Sequence, residues 1–338
     1  MCRLSKLLPF GIAMALVFVA APADAQIPSL SGRTLTLIIG LGSGSGYDIL
    51  GRAVARHLGK HLPGNPMVVV QNMPGAGSLN LANHIYAIAP KDGTVIGLIS
   101  RDAPLASLAG APGARFHPLE ISWIGTPTVE TNICIASQGA KVKSFDDLRK
   151  EELIVGTTGA GAGTYSYPKA LNGVLGTKFK LVSGFPSSSD VLLAMERGEV
   201  EGVCESFESL VARRPDWIEK RKVNVLFQGG AGPNPRLKGV PFILDLAGDA
   251  DNKKALEFLY SSQGIGRPFI GPPGLPPERL KMLRDAFNAT MKDPDFLTEA
   301  KALGFEIEPE DGAYLEGLIR RIYATPKAVA ARIGELIK

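Results

Sequence analysis

Histidine and cysteine, the side chains most used for metal binding and nucleophilic attack, are scarce: four and three in 338 residues. No ordered Ser-His-Asp set, HExxH or Cys-His pair occurs, which argues against an enzyme of those classes. His57 and His61 stand four apart in a helical pattern, a metal-ligand spacing. They lack the HExxH glutamate and are flanked by Arg56 and Lys60, so a solvated basic face is expected and no metal. Neither charge dominates, with 37 Lys and Arg against 33 Asp and Glu; this speaks against nucleic acid as partner and is compatible with an anionic ligand. Past the N-terminus no apolar run is long enough to span a bilayer, and no internal repeat or low-complexity tract is visible.

The N-terminus reads as a cleaved signal peptide, residues 1–25. Arg3 and Lys6 give the positive start, residues 7–21 the apolar run, and Ala23-Asp24-Ala25 the small residues that place cleavage before Gln26. The run is shorter than the roughly 20 apolar residues of a membrane anchor. Cys2 precedes the run and so is not a lipoprotein cysteine. Removing Arg3, Lys6 and Asp24 leaves 35 basic and 32 acidic residues, a formal +3. Cys134 and Cys204 remain. They can pair in an oxidising compartment or stay as two buried thiols, and a chain this long, which needs no staple, favours thiols.

The mature chain alternates short apolar, β-branched runs with amphipathic stretches. Strands are expected at 33–40, 67–71, 94–100, 121–125, 132–136, 153–157, 178–183, 200–204 and 223–228, and helices at 48–62, 78–89, 162–175 and 188–197. Strands without strict alternation read as buried on both faces, hence as mainly parallel sheets flanked by helices. About 313 residues exceed one ordinary core. Two α/β lobes are expected, the first from residues 26–127 and 229–338, the second from 128–228. Ser144 begins a capping box with Asp147, and Pro277, Pro294 and Pro326 start C-terminal helices. Trp123 and Trp217 read as packing residues.

The most informative segment is Gly40-Leu-Gly-Ser-Gly-Ser-Gly46, between the first strand and its helix. Glycines let the backbone approach a ligand, and the helix start offers free N–H groups and partial positive charge. No P-loop lysine follows, GxGxxG fails at Ser45 or Tyr47, and GxSxG fails at Leu41 and Ser43, so no cofactor is expected. Thr157-Thr-Gly-Ala-Gly-Ala-Gly-Thr164 repeats the arrangement in the second half, and Phe185-Pro-Ser-Ser-Ser-Asp190 puts three hydroxyls at a helix start. Two such loops at strand C-terminal edges, one per lobe, would line a cleft with donors. Arg101 either reaches a ligand carboxylate or pairs with Asp102; Asp48 either braces its loop or accepts from a ligand hydroxyl.

With these residues in view, the chain resembles the TctC-like, or Bug, substrate-binding proteins of tripartite tricarboxylate transporters. The resemblance lies in Tyr47-Asp48-Ile-Leu-Gly-Arg52, Val69-Val-Gln-Asn-Met-Pro-Gly-Ala-Gly77, Ala89-Pro-Lys-Asp-Gly-Thr94, Met195-Glu-Arg-Gly-Glu-Val200 and Pro272-Pro-Gly-Leu-Pro-Pro277, in that order along essentially the whole mature chain. It departs at Phe185-Pro-Ser, where a Tyr-Lys-Gly-like stretch is common, and at Glu205-Ser206, where Asp is frequent. The resemblance implies a monomeric, non-catalytic periplasmic binding protein of type II-like two-lobed fold. Such a protein takes a small aliphatic or aromatic carboxylate and hands it to integral-membrane permease subunits. By position it implies a site of Gly42, Ser43, Gly44, Ser45, Gly46, Tyr47 and Asp48 from the first loop. Thr157, Thr158, Gly159, Ala160, Gly161 and Thr164 would come from the second, Phe185, Ser187 and Ser188 from the third, and Arg101 and Glu205 from strand ends. A receptor presenting its ligand to a membrane sensor kinase, or an exported enzyme using the same cleft, are the alternatives. N-terminal sequencing of the exported protein is expected to begin at Gln26; exported protein still starting at Met1 would overturn the signal-peptide reading.

Overall fold

The computed structural model describes residues 29–159, 162–230 and 232–337, so the predicted signal peptide and Ala160 and Gly161 of the second glycine loop lie outside the described residues. The strands are β1 (Thr34–Ile39), β2 (Met67–Asn72), β3 (Val95–Leu98), β4 (Ser122–Thr126), β5 (Asn132–Ser137), β6 (Leu153–Thr157), β7 (Phe179–Ser183), β8 (Gly202–Ser206), β9 (Val223–Gly229), β10 (Phe269–Gly271) and β11 (Glu310–Asp311). The α-helices of the first half are α1 (Gly46–Leu58), α2 (Leu79–Ala87), α3 (Ala103–Leu108), α4 (Phe145–Leu148), α5 (Gly163–Leu175) and α6 (Ser188–Glu196). Those of the second half are α7 (Phe207–Arg213), α8 (Pro215–Glu219), α9 (Ala250–Tyr260), α10 (Pro277–Thr290), α11 (Pro294–Ala302), α12 (Gly312–Tyr323) and α13 (Lys327–Ile337).

The strands make two sheets flanked by helices, a two-lobed α/β fold, in the orders β11-β4-β10-β3-β1-β2 and β7-β6-β8-β5-β9. Both sheets are mixed rather than mainly parallel. The βαβ units keep β2-β1-β3 and β7-β6-β8 parallel, whereas strands that carry the chain between sheets or bring it back run the other way: β10 and β11 against the first sheet, β5 between β8 and β9 in the second. Every residue of β4 and β8 is buried, as their apolar character implies. The valine-rich β2 differs. It is an edge strand half-buried on one face, where Val68 and Val70 pack on the α1 cluster, while the other face is exposed, with Met67 70% exposed.

One apolar cluster joins β1 and β3 to α1 and α10. A second fills the space between the second sheet and α6 and α7. A third runs from α2 and α3 through β5 and β8 to α5, α9, α12 and α13, continuous from one sheet to the other. The chain after Gly229 divides its packing: α10 and α12 lie on β4, while α9 and α13 pack on α5. α13 also meets α3 at Gly334, where a Cβ would sit 2.3 Å from the Ala109 carbonyl oxygen.

Cys134 and Cys204 are directly opposed on antiparallel β5 and β8 and form a disulfide, overturning the expectation of two free thiols. Chain length was the wrong criterion, because direct cross-strand register brings the two sulfurs together whether or not the core needs a staple. The bond closes a segment with a sequence separation of 70. Replacing both cysteines with alanine is expected to cost roughly 2–4 kcal/mol. Thermal unfolding of this variant should shift down by several degrees; an unchanged midpoint would remove the bond from the account of stability.

Candidate functional site

The first glycine loop leaves β1 and turns into α1. Ser45 caps that helix, accepting from the Asp48 N–H at 3.2 Å. Gly44 has φ +76°, a conformation that suits glycine, and donates its N–H to Asp48 Oδ2 at 2.9 Å. The Asp48 carboxylate also accepts from Arg52 Nε at 3.0 Å and Asn72 Nδ2 at 2.8 Å. Burial by itself would raise its pKa, but the bonds from Arg52, Asn72 and Gly44 outweigh that and hold it below the usual carboxylate range. Asp48 is therefore a brace for the loop, with its acceptor capacity already used.

The facing lobe supplies the starts of α5 and α6. Thr164 Oγ1 meets Thr158 Oγ1 at 2.8 Å, and Ser187 caps α6. The first turns of α1, α5 and α6 and the hydroxyls of Ser206 and Ser209 open on one cavity between the sheets, of about 490 Å³ including its mouth. First-turn N–H groups and helix dipoles give such a cavity a positive potential. The lobes are in contact around it. Ser189 Oγ donates to the Gly44 carbonyl at 2.7 Å, and the Gly163 N–H donates to Asp102 Oδ2 at 2.9 Å.

Beneath the cavity lies a network of buried charge. Glu130, in the crossing between β4 and β5, pairs with Arg101 through one oxygen and with Arg267 through the other. Arg267 is fully buried; it donates to the Gly46 carbonyl at 2.6 Å and Ser209 Oγ at 2.7 Å. Burial opposes ionisation of Glu130, but the two guanidinium groups outweigh it and hold its pKa below normal. Burial likewise opposes the charge of Arg101, and Glu130, Tyr47 and Asp102 outweigh it, so Arg101 stays protonated. The Tyr47 hydroxyl takes 3.3 Å bonds from Arg101 Nη1 and the Arg101 N–H; burial, against the pull of Arg101, pushes its pKa up to about 12. Glu205 pairs with Arg213, yet burial prevails and its pKa lies above normal. Glu208, at the start of α7, accepts from the Thr131 N–H at 3.2 Å and Ser206 Oγ at 3.0 Å; burial, then repulsion from Glu130, push it up to about 7.

Of the residues expected at the site, Ser45, Gly46, Tyr47, Arg101, Thr158, Thr164, Ser188 and Glu205 line the cavity. Ala160 and Gly161 lie outside the described residues, and the other described ones lie off it, each with a different task. Gly42 abuts Pro186 and Ser187 of the third loop, and Ser43, Gly44 and Asp48 form the braced turn. Thr157 bonds Ser183 at 2.9 Å, and Gly159 abuts the backbone of Ala76 and Gly77. Phe185 packs on the apolar cluster of the second sheet, and Ser187 is spent as a cap. Ser100, Asp102, Asn132, Ser206 and Ser209 line the cavity without having been expected. Asn132 heads the apolar run of β5 and Ser206 stands at an N-cap spacing, signals that were readable. His57 and His61 turn to Glu299 and Asp293, each at 2.8 Å.

No family model matches the chain. A curated relative, the UPF0065 protein in gbd 5'region of Cupriavidus necator, is 27% identical over 324 residues, covering 87% of this chain and 85% of that protein. The solved periplasmic binding protein BugD superposes with TM-score 0.71 at 18% identity, over 90% of this chain and 98% of that one. MatC from Rhodopseudomonas palustris with bound malate gives 0.70 at 18% identity, over 91% and 99%. A second R. palustris protein, with adipate, gives 0.67 at 18% identity, over 90% and 98%. The chain thus has the fold of periplasmic binding proteins, and its resemblance to the TctC-like, or Bug, family extends from sequence to structure.

For Glu208 the folded state favours the protonated form, so the folded protein holds more protons than the unfolded between the ordinary value of 4.5 and about 7. Stability contributed by this group is present below 4.5 and is lost as pH rises to about 7. Melting curves of Glu208→Gln are expected to show a smaller fall across that window than the parent protein. Parallel curves would remove Glu208 from the pH dependence.

Proposed function

We propose that this chain, built on the fold of the Bug-type periplasmic binding proteins, is a non-catalytic periplasmic solute receptor that captures a small carboxylate for a tripartite tricarboxylate-type transporter. The observation that carries the reading is the convergence of three helix starts and the buried Arg101 on one cavity between two lobes in contact. Each helix start brings about half a positive charge; that of α5 already meets Asp102 through the Gly163 N–H, and those of α1 and α6 are left to stabilise an anion without a free basic side chain. Arg101 adds direction more than charge, since Glu130 already balances it; its Nε makes no hydrogen bond and faces Asp102 Oδ2 at 4.0 Å. Malate and adipate in two proteins of this fold support the ligand class.

Closure fits a hinge mechanism. The lobes are joined through the crossings near 127–131 and after Gly229, and Ser189, Asp102 and Arg267 bridge them around the cavity. A ligand held by both halves stabilises the closed form by its own binding free energy. An affinity near 1 μM, about −8 kcal/mol, suits a receptor that must release its cargo to a permease. In the mature protein from Gln26, a panel of mono-, di- and aromatic carboxylates alongside sugars, amino acids and phosphates tests the reading by thermal shift. Carboxylates at about 100 times Kd are expected to raise stability by about 2.7 kcal/mol. A response confined to sugars or phosphates would overturn the ligand class.

A further inference from the structure

Among the described residues, three buried side-chain atoms without a hydrogen-bond partner belong to residues that line the cavity: Arg101 Nε, Asn132 Oδ1 and Glu205 Oε1. All three residues are at most 4% exposed. The first is a donor, 4.0 Å from Asp102 Oδ2, whose missing bond a ligand carboxylate would supply. The other two are acceptors, which a carboxylate cannot satisfy.

Neither acceptor is free to turn elsewhere. The other Glu205 oxygen is paired with Arg213, which is itself fixed by the Ser209 carbonyl at 2.9 Å and Ser189 Oγ at 3.1 Å, and the Ser188 hydroxyl also reaches the Glu205 carboxylate. Asn132 Nδ2 donates to the Glu205 carbonyl at 3.2 Å, so the amide must direct its oxygen the opposite way. The two residues sit on neighbouring strands, with Asn132 opposite Ser206 and Ile133 opposite Glu205. Successive positions alternate in face, so the two side chains reach the cavity from opposite faces of the sheet edge. An acceptor left buried and unpaired costs about 1–3 kcal/mol, so two on one cavity favour an occupant that supplies the missing donors.

We propose that the ligand is a substituted acid carrying an N–H or O–H donor besides its carboxylate, and that Asn132 Oδ1 and Glu205 Oε1 receive that donor while Arg101 and the helix starts hold the carboxylate. This rests on the carboxylate reading above and narrows it. Ammonium and hydroxyl substituents share the required chemistry. Glu205 separates them: its charge is partly offset by Arg213, and a hydroxyl needs only an acceptor, whereas an ammonium draws on what charge remains.

The test is calorimetric titration of the mature protein with matched sets on one skeleton: propionate, lactate and alanine; succinate, malate and aspartate; glutarate, 2-hydroxyglutarate and glutamate; benzoate, salicylate and anthranilate. In at least one set a substituted member is expected to bind at least about tenfold tighter than its plain parent. Asn132→Leu should shrink that preference, read as the ratio of substituted to parent affinity within the variant. Glu205→Gln should weaken an amino ligand by about tenfold or more and a hydroxy ligand much less, since the amide oxygen still accepts. Plain parents binding as tightly as their substituted partners in every set would overturn this inference and leave the carboxylate reading standing. Absence of binding by every acid would overturn both. The comparison within the unmodified protein decides the matter even if a variant fails to fold.

Discussion

Much of the molecule is organised around one buried carboxylate. Glu130 has no solvent exposure in its side chain, and it sits where the chain leaves the first sheet for the second. Each guanidinium it holds reaches a different part of the site: Arg101 the hydroxyl of Tyr47, Arg267 the start of α1 and the serine of α7. The interaction is not a large source of net stability, because desolvating three charges offsets most of their attraction. Its effect is positional. Moving Glu130 would displace the crossing, the α1 turn and the returning strand together.

The cavity above this network has a polarity. The helix starts and Arg101 present donors, while Asn132 and Glu205 present acceptors. Asp48, the most conspicuous acid of the first loop, contributes to neither side because the loop itself consumes it. The disposition of acids is thus informative. Those next to glycines brace backbone, and the one paired with Arg213 keeps an oxygen in reserve.

Local features were the legible ones. The strand–glycine–helix segments, the Ser144 capping box with Asp147, and the prolines opening α10, α11 and α13 depend on neighbours in sequence, and the structure places them within a residue or two of expectation. What escaped was non-local. Arg267 meets Glu130 across 137 residues, and nothing around it in sequence marks it as buried. The three-residue β10 is too short to show a period, and α9 lay in a stretch with no assigned helix. β2 read as a buried strand because composition does not reveal that only one of its faces is covered. In the site, glycine loops drew attention to the residues that shape the turn, whereas half of the cavity wall comes from strand ends and caps that pattern alone does not distinguish from structural serines and asparagines.

The Cys134–Cys204 bond lies two residues from Asn132 on one strand and one residue from Glu205 on the other. A slip of either strand by one position would turn every side chain of that strand to the opposite face. The covalent bond forbids that slip, so sliding is removed as a degree of freedom from the half of the cleft that holds the acceptors. β5 and β8 are thereby tied into one body, and any rotation about the connecting segments would carry Asn132 and Glu205 together, like the jaw of a calliper.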